Sequence, residues 1–155
     1  MGGCAVNASP TLVAEEQPFL LLDTHTLIWL MFGDPKLGRH AREAIHSACI
    51  EEQTVVSAIT TWEIGVLVSK KRVELYRDVL EWIRDALALP GVRLWPLTPE
   101  IAVGSTRLPW EMHPDTANRI LVATARHLGA TLVTADQALL DFSAKGHFRA
   151  LDARI

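Results

Sequence analysis

Four acids in this chain stand where chemistry could use them: Asp23, Glu63, Asp115 and Asp136. Asp23 ends the apolar run "PFLLLD", and Glu63 follows "TVVSAITTW". Asp115 opens "DTANRILVATA", and Asp136 closes "LVTAD". Asp23 directly follows three leucines, so it cannot easily reach bulk water, and a carboxylate so placed wants a partner. No lysine lies near these positions in sequence. Arg119 is the only close base, and it faces away if Asn118 faces in. Crowded carboxylates repel and rise in pKa unless a cation neutralises them. Oxygen ligands select a hard ion, Mg²⁺ or Mn²⁺. Such an ion polarises a phosphoryl oxygen and lowers the pKa of an attacking water, which suits phosphodiester hydrolysis. Three of the acids also have a purely structural reading. Asp115 can cap a helix through the Asn118 N–H, Asp136 can cap the turn after its strand, and Glu63 is favourable near a helix N-terminus.

What separates the two readings is where the chain's elements put these residues. "PFLLLD" suits a strand buried on both faces. "THTLIWLMF" is helical and "GDP" ends it. Lys36 to Gln53 reads as a helix, with Leu37, Ala41, Ala44, Ile45, Ala48 and Cys49 on one face. "TVVSAI" is a second strand, and "TTWEIGVLVSKK" and "YRDVLEWIRDALAL" are helices. "PG" at 90–91 stops the latter. "VRLWPL" is a third strand. Thr98 caps the next helix, with Pro99 at its first position and Glu100 in its first turn. A helix from about Asp115 to Leu128 ends at Gly129. "ATLVT" is a fourth strand, followed by Asp136 and a short turn or helix. Alternating strands and helices call for a parallel sheet with helices on both faces. In such folds the functional crevice lies outside the carboxyl ends of the strands, and all four acids fall at that edge.

The chain has 155 residues, 49% hydrophobic and 21% charged, with a net charge of −3. That length suits one domain. We read residues 19–155 as that domain and residues 1–18 as a flexible N-terminal extension, which lacks the basic n-region and following apolar h-region of a signal peptide. The net charge argues against a broad basic face for duplex DNA, but not against a nuclease whose acidic pocket is inverted by cations. Cys4 and Cys49 have no metal-ligand spacing and read as reduced thiols of a cytoplasmic protein. "FLLLDTHTLIWLMF" is too short to span a bilayer and is broken by Asp23 and His25. Neither GxxxxGK[ST], GxGxxG after a strand nor GxSxG occurs. "DTHT" is similar to the opening of aspartate-nucleophile phosphatases, but His25 stands where they need a second acid. His25 and His113 read as hydrogen-bonded side chains, not ligands. The tryptophans read as core or interface residues, with Trp29 and Trp62 packing behind the site.

"LLDTHTLIW" (Leu21–Trp29), "VSAITTWEIGVLVSKKRVEL" (Val56–Leu75) and "HPDTANRILVATARHLGATLVTAD" (His113–Asp136) together resemble the PIN domain, and within it the VapC toxins of bacterial toxin–antitoxin pairs. The likeness runs from Phe19 to Asp141, and it is the combination that is specific. It implies a three-layer α/β/α sandwich and endoribonuclease activity dependent on Mg²⁺ or Mn²⁺. It also implies a cognate small antitoxin that blocks the site, operator DNA bound only through the antitoxin, and a homodimer. By position, Asp23 is the first metal-binding acid, Glu63 the second acid, and Asp136 the acid after the last strand. Thr134 is its supporting hydroxyl, Thr24 supports Asp23, and Asp115 matches the first acid of the family's Asp-Pro-x-Asp-Arg turn.

The departure is Asn118. In the family pattern the residue before that arginine is a metal-binding aspartate; here it is an amide, which offers a carbonyl oxygen without charge. The expectation is weaker metal binding and slower hydrolysis. The metal set is then Asp23, Asp115, Asn118 and Asp136. Two other readings stay open: a catalytically weak PIN-fold module that binds an antitoxin or RNA, and a small-molecule phosphatase.

Overall fold

Three consecutive leucines make β1 (Leu20–Leu22), and all are buried. A strand without a polar face belongs inside a sheet covered on both sides. The computed structural model, which describes residues 19–109 and 114–155, places it there. The other strands are β2 (Thr54–Ser57), β3 (Val92–Trp95), β4 (Thr131–Thr134) and β5 (Arg149–Asp152). Their order is β3-β2-β1-β4-β5, and every neighbouring pair is parallel. The helices are α1 (Thr24–Phe32), α2 (Arg39–Ile50), α3 (Ala58–Ser69), α4 (Val79–Leu87), α5 (Pro99–Ser105), α6 (Thr116–Leu128) and α7 (Gln137–Ala144). The extension at 1–18, with Cys4, and His113 lie outside the described residues.

The two faces of the sheet divide the core, because side chains alternate along a strand. Leu20, Leu22, Val56 and Val133 join Leu27, Ile45 and Trp82 from α1, α2 and α4 on one face. Leu21, Val55 and Leu132 join Leu121, Val122 and Leu139 from α6 and α7 on the other. These are the layers of the α/β/α sandwich expected from the sequence. The strand order also defines a switch point. From β1 the chain moves outward through β2 and β3, then returns to lay β4 on the opposite side of β1. Beyond the carboxyl ends of β1 and β4 the flanking segments diverge and leave a crevice.

Most expected elements are present with trimmed ends. The helix expected over Lys36–Gln53 runs only over Arg39–Ile50, because Gly38 in extended conformation is its N-cap. "TVVSAI" is strand only to Ser57, whose hydroxyl accepts the Ile59 N–H and starts α3. Thr98 caps α5 as expected, and Gly33 and Gly129 end α1 and α6 in the left-handed region. β5 is a correction: the sequence reading had four strands and passed over Arg149–Asp152, a short partly buried edge strand. Among the described residues no helix is long and apolar enough to cross a membrane.

The residues after β5 fold back over the start of α2. The Gly38 N–H donates to the Ala153 carbonyl and the Ala41 N–H to the Ile155 carbonyl, both at 2.8 Å. These bonds satisfy amides that a helix start leaves without partners. A Cβ on Gly38 would stand 2.3 Å from the Ile155 backbone. Gly38→Ala therefore forces Ala153–Ile155 aside. We expect a loss of about 2 kcal/mol, typical of overpacking, seen in calorimetry as a melting temperature several degrees lower. An unchanged melting temperature would show that this packing is not tight.

Candidate active site

Asp23 directly follows β1 and caps α1. Its backbone N–H donates to the Val133 carbonyl at 3.1 Å, so the end of β1 is tied to β4. Its Oδ1 accepts the Thr24 N–H at 2.7 Å and its Oδ2 accepts the Thr134 hydroxyl at 2.6 Å. The residue is only 6% exposed. The same Thr134 oxygen accepts the Asp136 N–H at 3.0 Å, so one hydroxyl at the end of β4 positions two acids. Thr134 thus contacts both Asp23 and Asp136.

Asp136 caps α7, with its Oδ1 accepting the Leu139 N–H at 3.1 Å. Asp115 caps α6, accepting the Asn118 N–H at 2.9 Å. The capping roles considered for both are real, and they do not compete with convergence. Three helix N-termini meet at the crevice, and each partial positive charge favours the carboxylate that caps it. Glu63 comes from the second turn of α3 and is half-buried. It accepts a short hydrogen bond from the Thr24 hydroxyl, which lies 3.3 Å from the Thr60 hydroxyl. Thr24 therefore touches both Asp23, through its N–H, and Glu63, through its hydroxyl.

Asp23, Glu63, Asp115 and Asp136 line one cavity of about 560 Å³, together with Asn118, Ala135, His25, Trp29, Leu67, Arg72 and Arg154. A groove of similar size between Leu30, Ile45 and Pro90 holds no acid, so chemistry rather than size identifies the site. None of Asp23, Glu63 and Asp136 forms an ion pair with a described residue. Burial pushes the Asp23 carboxyl above its ordinary value of 3.8, against the Thr134 and Thr24 hydrogen bonds and His25; Asp136 adds to the rise. Burial also pushes Glu63 up, against the Thr24 bond and His25, with Asp23 and Asp115 adding. Mutual repulsion, the cause expected from sequence, is present but is second to loss of water.

Asn118 turns its amide nitrogen toward Asp136 Oδ2, at 3.4 Å. Arg119 faces away, donating to the Ser105 carbonyl at 3.1 Å, as expected from its neighbour. It is not the only base that matters. Arg72, just past the end of α3, and Arg154, just past β5, also line the cavity, and no local spacing signals them. Arg154 is held by Asp152 and Gln137. His25 lines the cavity and faces Trp29, with ring centroids 6.4 Å apart. Trp29 is half-buried beside the site, but Trp62 is 58% exposed, which corrects the packing role expected of it.

No three Asp, Glu, His or Cys side chains among the described residues form a ready cage for an ion. The donor chemistry nevertheless fits Mg²⁺ or Mn²⁺. Every candidate donor is an oxygen, and neither Asp23 nor Glu63 forms an ion pair with a described residue. Mg²⁺ is commonly held by one or two carboxylates and keeps several waters, so a full protein cage is not required.

Because the Asp23 pKa is raised on folding, its contribution to stability is full below about 3.8 and lost as pH rises through the folded value. Asp23→Asn removes that loss. With metal chelated, we expect the variant to melt higher than wild type at pH 7, and the difference to disappear as pH falls below the ordinary carboxylate range. Thr134→Val, which deletes a bond that lowers the Asp23 pKa, shifts the Asp23 titration upward in carbon-detected NMR. An Asp23 that titrates unchanged would remove the Thr134 contact from the site.

Comparison with known proteins agrees with this geometry. The pattern of the PIN domain matches residues 20–145. Ribonuclease VapC22 of Mycobacterium tuberculosis is 32% identical over 120 residues, covering 77% of this chain and 88% of that protein. Among solved structures, a toxin–antitoxin complex from Klebsiella pneumoniae aligns at 25% identity and TM-score 0.58, over 86% of this chain and 97% of the other. VapBC2 from Rickettsia felis, bound to a DNA fragment from its promoter, aligns at TM-score 0.65 and 14% identity, over 86% and 97% of the two chains. At that identity the likeness shows the fold alone. With its sheet order, its acids at the switch point and 32% identity over 120 residues to a VapC ribonuclease, the chain belongs to the PIN-domain family, among the VapC-type toxin ribonucleases.

Proposed function

We propose that this chain is an endoribonuclease that hydrolyses RNA phosphodiesters with the help of Mg²⁺ or Mn²⁺. The observation that carries the reading is the meeting of Asp23, Glu63, Asp115 and Asp136 around one cavity at the switch point of the sheet. Asp23 and Asp136, fixed on either side of the Thr134 hydroxyl, are the main ion-holding pair. Asp115 and the Asn118 amide complete the set. A bound ion supplies polarisation of the phosphoryl oxygen and a more acidic water. Glu63, half-buried and with its proton affinity raised, orients the attacking water and takes its proton. Thr24 holds Glu63 for that task, and Thr134 holds Asp23.

A cognate small antitoxin that covers the cavity, DNA contact only through that antitoxin, a homodimer and a cytoplasmic location belong to the same proposal. Its support is that the similar solved structures include toxin–antitoxin complexes.

Asn118 favours a second reading, a PIN fold retained for binding with little catalysis. Its amide nitrogen, not a carboxylate, faces Asp136, and the carboxylates among the described residues form no cage. One experiment separates the two. Single-stranded RNA is incubated with and without Mn²⁺, using wild type, Asp23→Asn and Asn118→Asp. We expect cleavage only with Mn²⁺, loss of cleavage in Asp23→Asn, and a gain of about tenfold or more in Asn118→Asp with tighter Mn²⁺ binding by calorimetry. Equal, metal-independent rates in all three remove the metal mechanism. No Mn²⁺ binding at millimolar ion, restored by Asn118→Asp, selects the binding module.

A further inference from the structure

The cavity has a second wall that the hydrolytic reading does not use. His25 and Trp29 lie one turn apart on α1, Leu67 lies one turn beyond Glu63 on α3, and Arg72 follows α3. We infer that this wall is a nucleotide-anchoring subsite: Arg72 binds an RNA phosphate next to the scissile one, and the His25 ring, backed by Trp29, stacks on its base. The inference rests on the ribonuclease reading and names how that site holds its substrate.

Three observations support it. First, an acidic cavity repels RNA, so a cation at its rim is needed where the polyanion enters. Two arginines line the cavity, and Arg154 is already engaged by Asp152 and Gln137. The exposed Arg72 guanidinium makes no hydrogen bond or ion pair with a described residue. Its five N–H donors are free for a phosphate.

Second, the backbone is built to put Arg72 there. The Lys71 N–H donates to the Val68 carbonyl, and the Arg72 N–H to the Leu67 carbonyl at 2.9 Å. This is the paired bond of a Schellman helix end, in which the residue after the cap adopts the left-handed region. Glycine normally sits there; here it is Lys71, with φ of 56°. The strained turn brings the chain back to Leu67, on the same face of α3 as Glu63. Arg72 is thus brought back toward the cavity instead of continuing along the helix axis.

Third, the neighbouring aromatic pair has the form of a stacking platform. His25 is exposed, and its ring lies tilted against that of the half-buried Trp29, with centroids 6.4 Å apart and planes at 59°. Single-stranded nucleic acid is held in this way, by cations tracking the phosphates and rings stacking on bases.

The test measures binding of a short, labelled, mixed-sequence single-stranded oligoribonucleotide pool by fluorescence anisotropy. Ca²⁺ occupies the acids in place of Mn²⁺. We expect Arg72→Ala to raise Kd about tenfold, with Arg72→Lys recovering part of the loss. The slope of log Kd against log salt should fall by about 0.7, one single-strand phosphate contact. His25→Ala should weaken binding and His25→Phe should restore it, because stacking needs a ring and not an imidazole. Arg39→Ala, which removes an exposed arginine paired with Glu43 on α2, serves as the charge control and should bind as wild type. Wild-type affinity and salt slope in Arg72→Ala, or equal losses in Arg39→Ala and Arg72→Ala, would overturn the subsite. Cleavage in Mn²⁺ is scored separately. Binding that depends on Arg72 without any cleavage would sink the ribonuclease reading and leave the subsite standing.

Discussion

Everything at the site depends on one carboxylate being held out of water at the centre of the sheet. Asp23 follows a strand of three buried leucines and could not reach solvent without undoing the pairing of β1 with β4. Two donors make its burial tolerable, the Thr24 amide and the Thr134 hydroxyl. They do not make it comfortable, since loss of water still dominates its proton affinity. A buried acid with two hydrogen bonds and no ion pair to a described residue suits the cation of the proposed function. The same Thr134 oxygen fixes Asp136, so the spacing of the acids across the switch point is set by backbone pairing between β1 and β4 rather than by flexible side chains.

Helix capping organises the remaining acids. Asp23, Asp115 and Asp136 each commit one oxygen to the first turn of a helix. The second oxygens of Asp23 and Asp136 accept from Thr134 and Asn118, so each of these carboxylates ties a helix start to a second segment of the crevice. An aspartate fits this double duty better than a glutamate, whose longer side chain loses more rotamer freedom and caps poorly. Glu63, the one glutamate of the set, is the one acid that caps nothing. Its longer reach brings it from the body of α3 to the Thr24 hydroxyl.

The sequence revealed the elements whose signals are local. Three leucines before Asp23, Thr98 before Pro99, and Gly129 after a periodic helix each carry their own stereochemistry, and each stands where it was expected. The convergence of the acids was legible because alternation of strands and helices fixes which edge carries function. What escaped depends on contacts made at long range. β5 is four residues with an arginine at one end and an aspartate at the other, and only its pairing with β4 identifies it as a strand. Arg72 and Arg154 are far in sequence from Asp23, and each reaches the cavity through a turn or a strand end that no periodicity reveals. Trp62 adjoins Glu63 in sequence, yet the two residues point to different faces of α3, and the indole is left exposed.

Asn118 shows how one amide alters this balance. A carboxylate in its place would stand near Asp136, and two such groups repel unless a cation lies between them. The amide replaces that repulsion with a donor to Asp136 Oδ2. The cavity is thereby relieved of one like-charge contact, and on the proposed metal-dependent reading the gain from binding an ion would be reduced by the missing charge. The Asn118–Asp136 contact is long, at 3.4 Å, so it does not lock the amide. Rotation of the side chain would present its carbonyl oxygen to an ion held by Asp23 and Asp136, at the cost of one weak hydrogen bond. On the proposed metal-dependent reading, Asn118 would lower the site's dependence on its cation without removing the cation's place.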